Sequence, residues 1–288
     1  MLYGGVFSAG FESLMSMTLT REPQAEAAPF VEAVIRFTDP ASAGAMLHTD
    51  DHESSTFQLI PKTVRITNGR AAGDRLGFEA NGFTLLDAPF EIDLLDRTQV
   101  EQRYYPEAQR IVHELTGASE VIAFLDLVRS EVREEGMEPA NNAHIDFDGP
   151  SIEAWVRALR PDDADRLLAK RRIVNMNLWR PIRPVERMPL AVCDASSVDR
   201  ADLIRTVIGH KEGEQASPYA GFNLAYNPGQ RWFYFPQMQP SEVLAFKIYD
   251  SEMERPHLTA HTAFEDPTSR PDAPTRMSHE IRTIAFFD

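Results

Sequence analysis

Two short stretches of this 288-residue chain carry side chains that could share one metal ion. His144 and Asp146 stand two apart in AHIDF, and His261 follows far downstream in HTAFEDP. In an extended segment, side chains at i and i+2 point the same way, so His144 and Asp146 can reach a common ion. His261 must then come from a distant strand. Two imidazoles and one carboxylate on one face of a ferrous ion leave positions open for oxygen and a chelating oxo-acid. Beyond His261 comes Arg276, with Ser278 at i+2. An arginine fork binds a carboxylate through two parallel hydrogen bonds, and a serine hydroxyl on the same strand face adds a third. The distal carboxylate of 2-oxoglutarate needs such a clamp while its keto-acid end chelates the metal. His-x-Asp alone also describes a turn with a capping aspartate, so the selectivity lies in the combination.

Other residues compete for these roles. His48 and His52 flank two aspartates in HTDDH, but the segment has no apolar face and reads as a solvated loop. His257 lies four before His261, yet Pro256 argues against a helix there, which leaves it a structural role. His113 falls on a scaffold helix, and His210 and His279 have no partner in the sequence. Arg282 shares the strand face of Arg276 and competes with it for the anion, whereas Arg270 sits in a Pro-rich loop. On RIVNMNLWR, Asn175, Asn177 and Trp179 share one face, which suits a cavity lining because buried amides need partners. Asn177 is therefore a candidate cofactor contact. Trp179, Arg180, Tyr226 and Arg282 are candidate substrate contacts, with Arg231, Lys247 and Tyr249 as further neighbours. Cys193 reads as a small core residue.

Positioning these residues requires a β-rich second half. RIVNMNLWR, RWFYFPQM, EVLAFKIYD and RMSHEIRTIAFF are aromatic and β-branched runs separated by Pro, Gly and Asp, as an antiparallel architecture requires. Between the first two, SSVDRADLIRTVI reads as a helix with Ser197 near its N-cap. Short helices are expected from Ser151 and from Pro161. In the first half, FQLIPKTVRITNGR alternates like a strand and ends in an Asn-Gly turn, suggesting a hairpin. YYPEAQRIVHELTG makes a helix with Pro106 in its first turn, an apolar face of Ala108, Ile111, Val112 and Leu115, and Gly117 as its stop. VIAFLDLV fits strand or helix. The expected organisation is a loosely ordered start over residues 1–25 and a single domain over 26–288. Within that domain an α/β part (26–138) packs on a β core (139–288).

Composition narrows the function. With 43% hydrophobic residues the chain can bury a large core. The formal charge of -15 argues against nucleic acid and against anionic membranes as partners. It leaves a small-molecule substrate and does not forbid a homodimer. The opening residues lack a basic region before their apolar stretch and do not read as a signal peptide. One cysteine cannot form an internal disulfide, so a cytoplasmic setting is expected.

Longer motifs carry a resemblance. NLWRPIRPVERMPLAVCDASSV, AYNPGQRWFYFPQMQPSEVLAFKIYDS and HTAFEDPTSRPDAPTRMSHEIRTIAFF resemble the AsaB/gibberellin-desaturase/CmcJ-like hydroxylase/desaturase family, which is similar to Fe(II)/2-oxoglutarate oxygenases. The likeness spans about Gly77 to Phe287 and is closest from Asn177 onward. It implies a mainly β fold with flanking helices around a double-stranded β-helix (jelly-roll, cupin-like) core. It also implies AHIDF as the first metal motif, the distal histidine in HTAFEDP, and RMS as the oxo-acid site. The implied cofactors are Fe(II), 2-oxoglutarate and O2, acting on a secondary-metabolite-like substrate. Gln230 stands where relatives often carry His, and Leu125 and Leu127 flank Asp126 in a stretch that is often more polar. These departures bear on substrate contacts and leave the metal motif untouched. Two other readings remain open: a non-catalytic jelly-roll partner of another enzyme, and an iron oxygenase that uses no oxo-acid.

Overall fold

The structure is a computed structural model that describes residues 28–42, 44–49, 54–209 and 219–288. The expectations for residues 1–25, His52 and His210 fall outside the described residues. The strands are β1 (Phe30–Thr38), β2 (Ala45–His48), β3 (Leu59–Asn68), β4 (Phe83–Asp87), β5 (Glu120–Ser130), β6 (His144–Ile145) and β7 (Arg172–Pro181). They continue as β8 (Leu190–Cys193), β9 (Leu203–Gly209), β10 (Ala220–Leu224), β11 (Trp232–Tyr234), β12 (Glu242–Asp250), β13 (His261–Ala263) and β14 (Met277–Phe287). They form two sheets, in the orders β1-β3-β11-β8-β13-β6-β10-β9-β2 and β4-β12-β7-β14-β5. Two curled sheets face to face make a jelly roll with flanking helices.

Alternation along β7 and β14 explains how the smaller sheet separates two apolar regions. Ile173 and Trp179 on β7, with Ile284 and Phe286 on β14, point between the sheets and join the main core. Val174, Met176 and Leu178, with Ile281, Ala285 and Phe287, point outward. There they are covered by Ala108, Ile111 and Val112 of the helix Tyr105–Thr116. Gly117 ends that helix at φ 70, a left-handed conformation that glycine adopts without a Cβ penalty.

Two local expectations are corrected. SSVDRADLIRTVI is not a helix: Ala195–Ser197 and Arg200–Asp202 are single 3-10 turns, and Leu203–Gly209 is strand β9. Asp194 and Asp199, not Ser197, cap the turns by accepting from Ser196 N and Ala201 N. The β-branched residues after Asp202 gain more by pairing with β10 than a short helix would supply. After Asn68 the chain likewise does not form a hairpin. A 3-10 turn over Gly69–Ala71 follows, and β3 pairs instead with the preceding β1 and, in parallel, with β11.

One close approach fixes the first metal motif. Gly221 of β10 lies against the backbone of β6, where a Cβ would overlap the carbonyl oxygens of Ile145 and Asp146. Backbone cannot swing aside as a side chain can, so Gly221→Ala must displace the AHIDF strand. Overpacking of this kind costs about 1–3 kcal/mol, so the melting temperature should fall by roughly 2–5 °C. Calorimetry of the purified variant checks this.

Candidate iron and oxo-acid site

Strand register assembles the triad. His144 of β6 pairs directly with His261 of β13, so the two rings lie side by side with centroids 4.3 Å apart. Asp146, two residues after His144, brings Oδ1 to 3.5 Å from His144 Nε2 and 3.8 Å from His261 Nε2. The three ligand atoms all lie within 4.8 Å of one another.

The surrounding bonds prepare these atoms for a metal. His144 Nδ1 donates to the Asn142 carbonyl at 2.8 Å, and His261 Nδ1 donates to the Thr259 carbonyl at 3.2 Å. Since a carbonyl can only accept, Nδ1 carries the proton and Nε2 keeps its lone pair for an ion. Burial, followed by the neighbouring His144, holds His261 down to about 3, so it stays neutral. Burial acts to raise Asp146, but the Arg282 guanidinium leads the influences that outweigh it and keep the carboxylate ionised. Two neutral imidazole nitrogens and one carboxylate oxygen, each otherwise braced, fit a ferrous ion.

The facing sheet holds the other oxygen of Asp146. Asn177 of β7 and Arg282 of β14 are cross-strand neighbours. Asn177 Nδ2 donates to Asp146 Oδ2 at 2.7 Å, and Arg282 donates to the same oxygen from Nε at 3.2 Å and Nη2 at 3.1 Å. Arg282 also pairs with the buried Glu280 at 3.0 Å. Both residues therefore bind the Asp146 carboxylate.

Arg276 occupies a different place. It is 1% exposed and lies over the Trp179 ring at 5.0 Å. Its Nε donates to Ser278 Oγ at 3.2 Å and its Nη1 to the Met188 carbonyl at 3.0 Å. Among the described residues no carboxylate pairs with this guanidinium, and burial pushes it down to about 9. A narrow crevice lined by His144, His261, Arg276, Arg129 and Glu280 connects it to the triad. A larger cavity of about 380 Å³, bordered by His144, Asp146 and Arg282, shares His144 and Arg129 with the crevice. Its walls include Leu127, Phe147, Trp155, Tyr219 and Phe222.

Several sequence candidates lie elsewhere. Arg180 points to the outer face, where it donates to the Tyr104 hydroxyl at 3.0 Å and the Pro240 carbonyl at 2.7 Å. Tyr226 packs edge-on against Phe37 at 5.3 Å and lines neither the crevice nor the cavity. Trp179 supports Arg276 from below and does not line the large cavity. Lys247 is bound to Glu79 and Asp250, Arg231 to Asp194, and Arg270 to Glu186. His257 donates Nδ1 to the Arg255 carbonyl, and His279 donates to Asp126 on the outer face. Gln230 braces its own turn through the Ala225 carbonyl. Burial raises Cys193 to about 12, so its thiol is no nucleophile at neutral pH. Arg129, Glu280, Phe147, Trp155 and Tyr219, which do line the site, carry no motif that marks them in the sequence.

A jelly roll that carries two histidines and an aspartate between its sheets has the architecture of a non-haem iron oxygenase. Comparison with known proteins agrees. Residues 35–286 match a family described as Oxidoreductase/YMDC permease-like domain. Among the described residues no helix is long and apolar enough to cross a membrane. The Fe(II)/2-oxoglutarate-dependent dioxygenase nvfI of Aspergillus novofumigatus is 30% identical over 81% of this chain and 86% of its own length. The alpha-ketoglutarate-dependent dioxygenase phiK of a fungal species is 32% identical over 89% of this chain and 96% of its own length. The solved structure of the iron and alpha-ketoglutarate-dependent endoperoxidase NvfI superposes with a TM-score of 0.81 at 27% identity, covering 90% of this chain and 98% of that one. The chain belongs to this family of Fe(II)/2-oxoglutarate-dependent dioxygenases. Its cofactors are accordingly Fe(II), 2-oxoglutarate and O2.

Removing one clamp on Asp146 should loosen the metal without removing a ligand. Asn177→Ala is expected to weaken Fe(II) binding about 10–100-fold, the usual cost of losing a partner that orients a metal ligand. Titration of the apoprotein with Fe(II) under argon measures it, and an unchanged affinity would show that Arg282 alone is sufficient.

Proposed function

We propose that His144, Asp146 and His261 hold the iron and that Arg276 with Ser278 holds the distal carboxylate of 2-oxoglutarate. The large cavity then takes a small organic substrate, which is hydroxylated or desaturated. One observation carries the assignment: a buried guanidinium with no carboxylate partner faces the triad across a crevice. A buried cation is costly without an anion, and a carboxylate arriving there gains both charge and directed hydrogen bonds. Arg282 is less suited because Asp146 and Glu280 already occupy it.

When bound, Fe(II) and its oxo-acid supply the oxidising chemistry that removes hydrogen from an unactivated carbon. The chain contributes position and dryness. Asn177 and Arg282 hold Asp146 still, the two backbone carbonyls hold the imidazoles in one tautomer, and Trp179 keeps the Arg276 fork flat against the crevice. The apolar cavity walls keep bulk water from the reacting carbon. Relatives named as hydroxylase/desaturase and as endoperoxidase support oxidation of a secondary-metabolite-like molecule. Residues 26–288 acting as one oxygenase domain, a cytoplasmic setting, the lack of a nucleic-acid partner and a homodimer belong to the same proposal. The acidic charge of -15 and the single buried cysteine support the setting and the lack of a nucleic-acid partner.

Arg276→Met should weaken 2-oxoglutarate binding by about 100-fold while Fe(II) binding stays near wild type. Calorimetry under argon, with His144→Ala as the metal-deficient control, reads both quantities. Wild-type affinity for 2-oxoglutarate in Arg276→Met would overturn the anchor. Oxygen consumption without stoichiometric succinate would favour an iron oxygenase that needs no oxo-acid.

A further inference from the structure

Three arginines surround the triad. Arg276 faces the crevice and Arg282 is bound to Asp146 and Glu280. The third, Arg129 near the end of β5, lines both the crevice and the large cavity. Its Nη1 donates to the Glu138 carbonyl at 2.9 Å, and among the described residues no carboxylate pairs with its guanidinium. Burial is the largest influence on it and pushes it below the ordinary arginine range, with Glu280 and Asp146 acting against that push. Arginine still keeps its proton, so the charge remains in the site.

Charge balance shows what is missing. Around the histidines stand the cations Arg129, Arg276 and Arg282 and the anions Asp146 and Glu280; Glu131 is paired with Arg187 and Glu138 lies exposed on the cavity rim, so the inward-facing groups leave one cation in excess. Fe(II) and the 2-oxoglutarate dianion cancel, so on the reading above they leave that excess in place. Asn141, Asn142, Thr206 and Asn223 add polar groups to the cavity, and most of its remaining wall is apolar. Trp155 is stacked on Tyr219 at 4.6 Å, Phe147 lies beside Trp155, and Leu59, Leu125 and Met137 stay exposed while lining the same space. We infer that the substrate is a lipophilic monoanion, a carboxylic acid or similarly acidic enol, whose charged head Arg129 binds while its apolar body lies along the aromatic wall. Arg129 is thus a specificity-determining residue of the reaction. The inference rests on the iron and 2-oxoglutarate reading for its charge count.

The test uses a fluorescent lipophilic acid, 11-(dansylamino)undecanoic acid, and its methyl ester, titrated into protein loaded with Fe(II) and 2-oxoglutarate under argon. Wild type should bind the acid at least about tenfold more tightly than the ester. Arg129→Gln should abolish that preference and Arg129→Lys should keep most of it, both read in protein saturated with 2-oxoglutarate. A wild type that takes neither probe, or both equally, overturns the inference without any variant having to fold. So does an Arg129→Gln protein that loses 2-oxoglutarate yet still prefers the acid, because the cation then serves the co-substrate. Failure of wild type to bind Fe(II) and 2-oxoglutarate would sink the preceding reading instead. In that case the same acid and ester titrations on the metal-free protein still decide the role of Arg129.

Discussion

The site depends on how one carboxylate is divided. Oδ1 of Asp146 faces the two imidazoles on the larger sheet, while Oδ2 is held by Asn177 and Arg282 on the smaller one. The same residue therefore joins the sheets and offers a ligand atom. A carboxylate buried this deeply would tend to protonate; the Arg282 cation and the donated hydrogen bonds keep it charged. Everything else in the triad follows from register. His144 and His261 need no long-range steering because β6 and β13 place them directly opposite each other.

Two cavities border the triad and differ in character. The crevice is polar and ends on Arg276, whose orientation comes from Trp179, Ser278 and the Met188 carbonyl. The larger space is walled by aromatic and branched side chains. The two spaces meet at His144, Ala140 and Arg129, so what fills one borders what fills the other.

Much of this was legible in the sequence because its signals are local. The i, i+2 spacing of His144 and Asp146, the alternation of RIVNMNLWR and the β-branched run RMSHEIRTIAFF each report a strand face directly. The inward face of Asn175, Asn177 and Trp179 emerges for the same reason. Arg180, one residue further along, must then point outward, and it does. What escaped depends on tertiary pairing. LIRTVI becomes a strand only because β10 and β2 flank it. Asn177 could be recognised as inward but not as a partner of Asp146, since that contact spans the two sheets. Trp155 and Tyr219 form one wall from distant parts of the chain, with no shared motif.

Arg129 was hidden for a more specific reason. Its strand changes step at Leu125, which adopts φ 43, and the pairing with β14 shifts between Ile281 and Arg282. Before that point Ile122 and Phe124 face inward; after it Leu127 and Arg129 do, while Asp126 turns out to meet His279. Such a bulge re-aims every later side chain on its strand. The aim of the cavity's spare cation is thus set by residue count, not residue type. A lineage that gained or lost one residue at this bend would exchange cavity wall for outer surface along half of β5. His144, Asp146 and His261, carried on other segments, would keep their places, so the cavity wall can diverge by insertion and deletion while the triad is inherited intact.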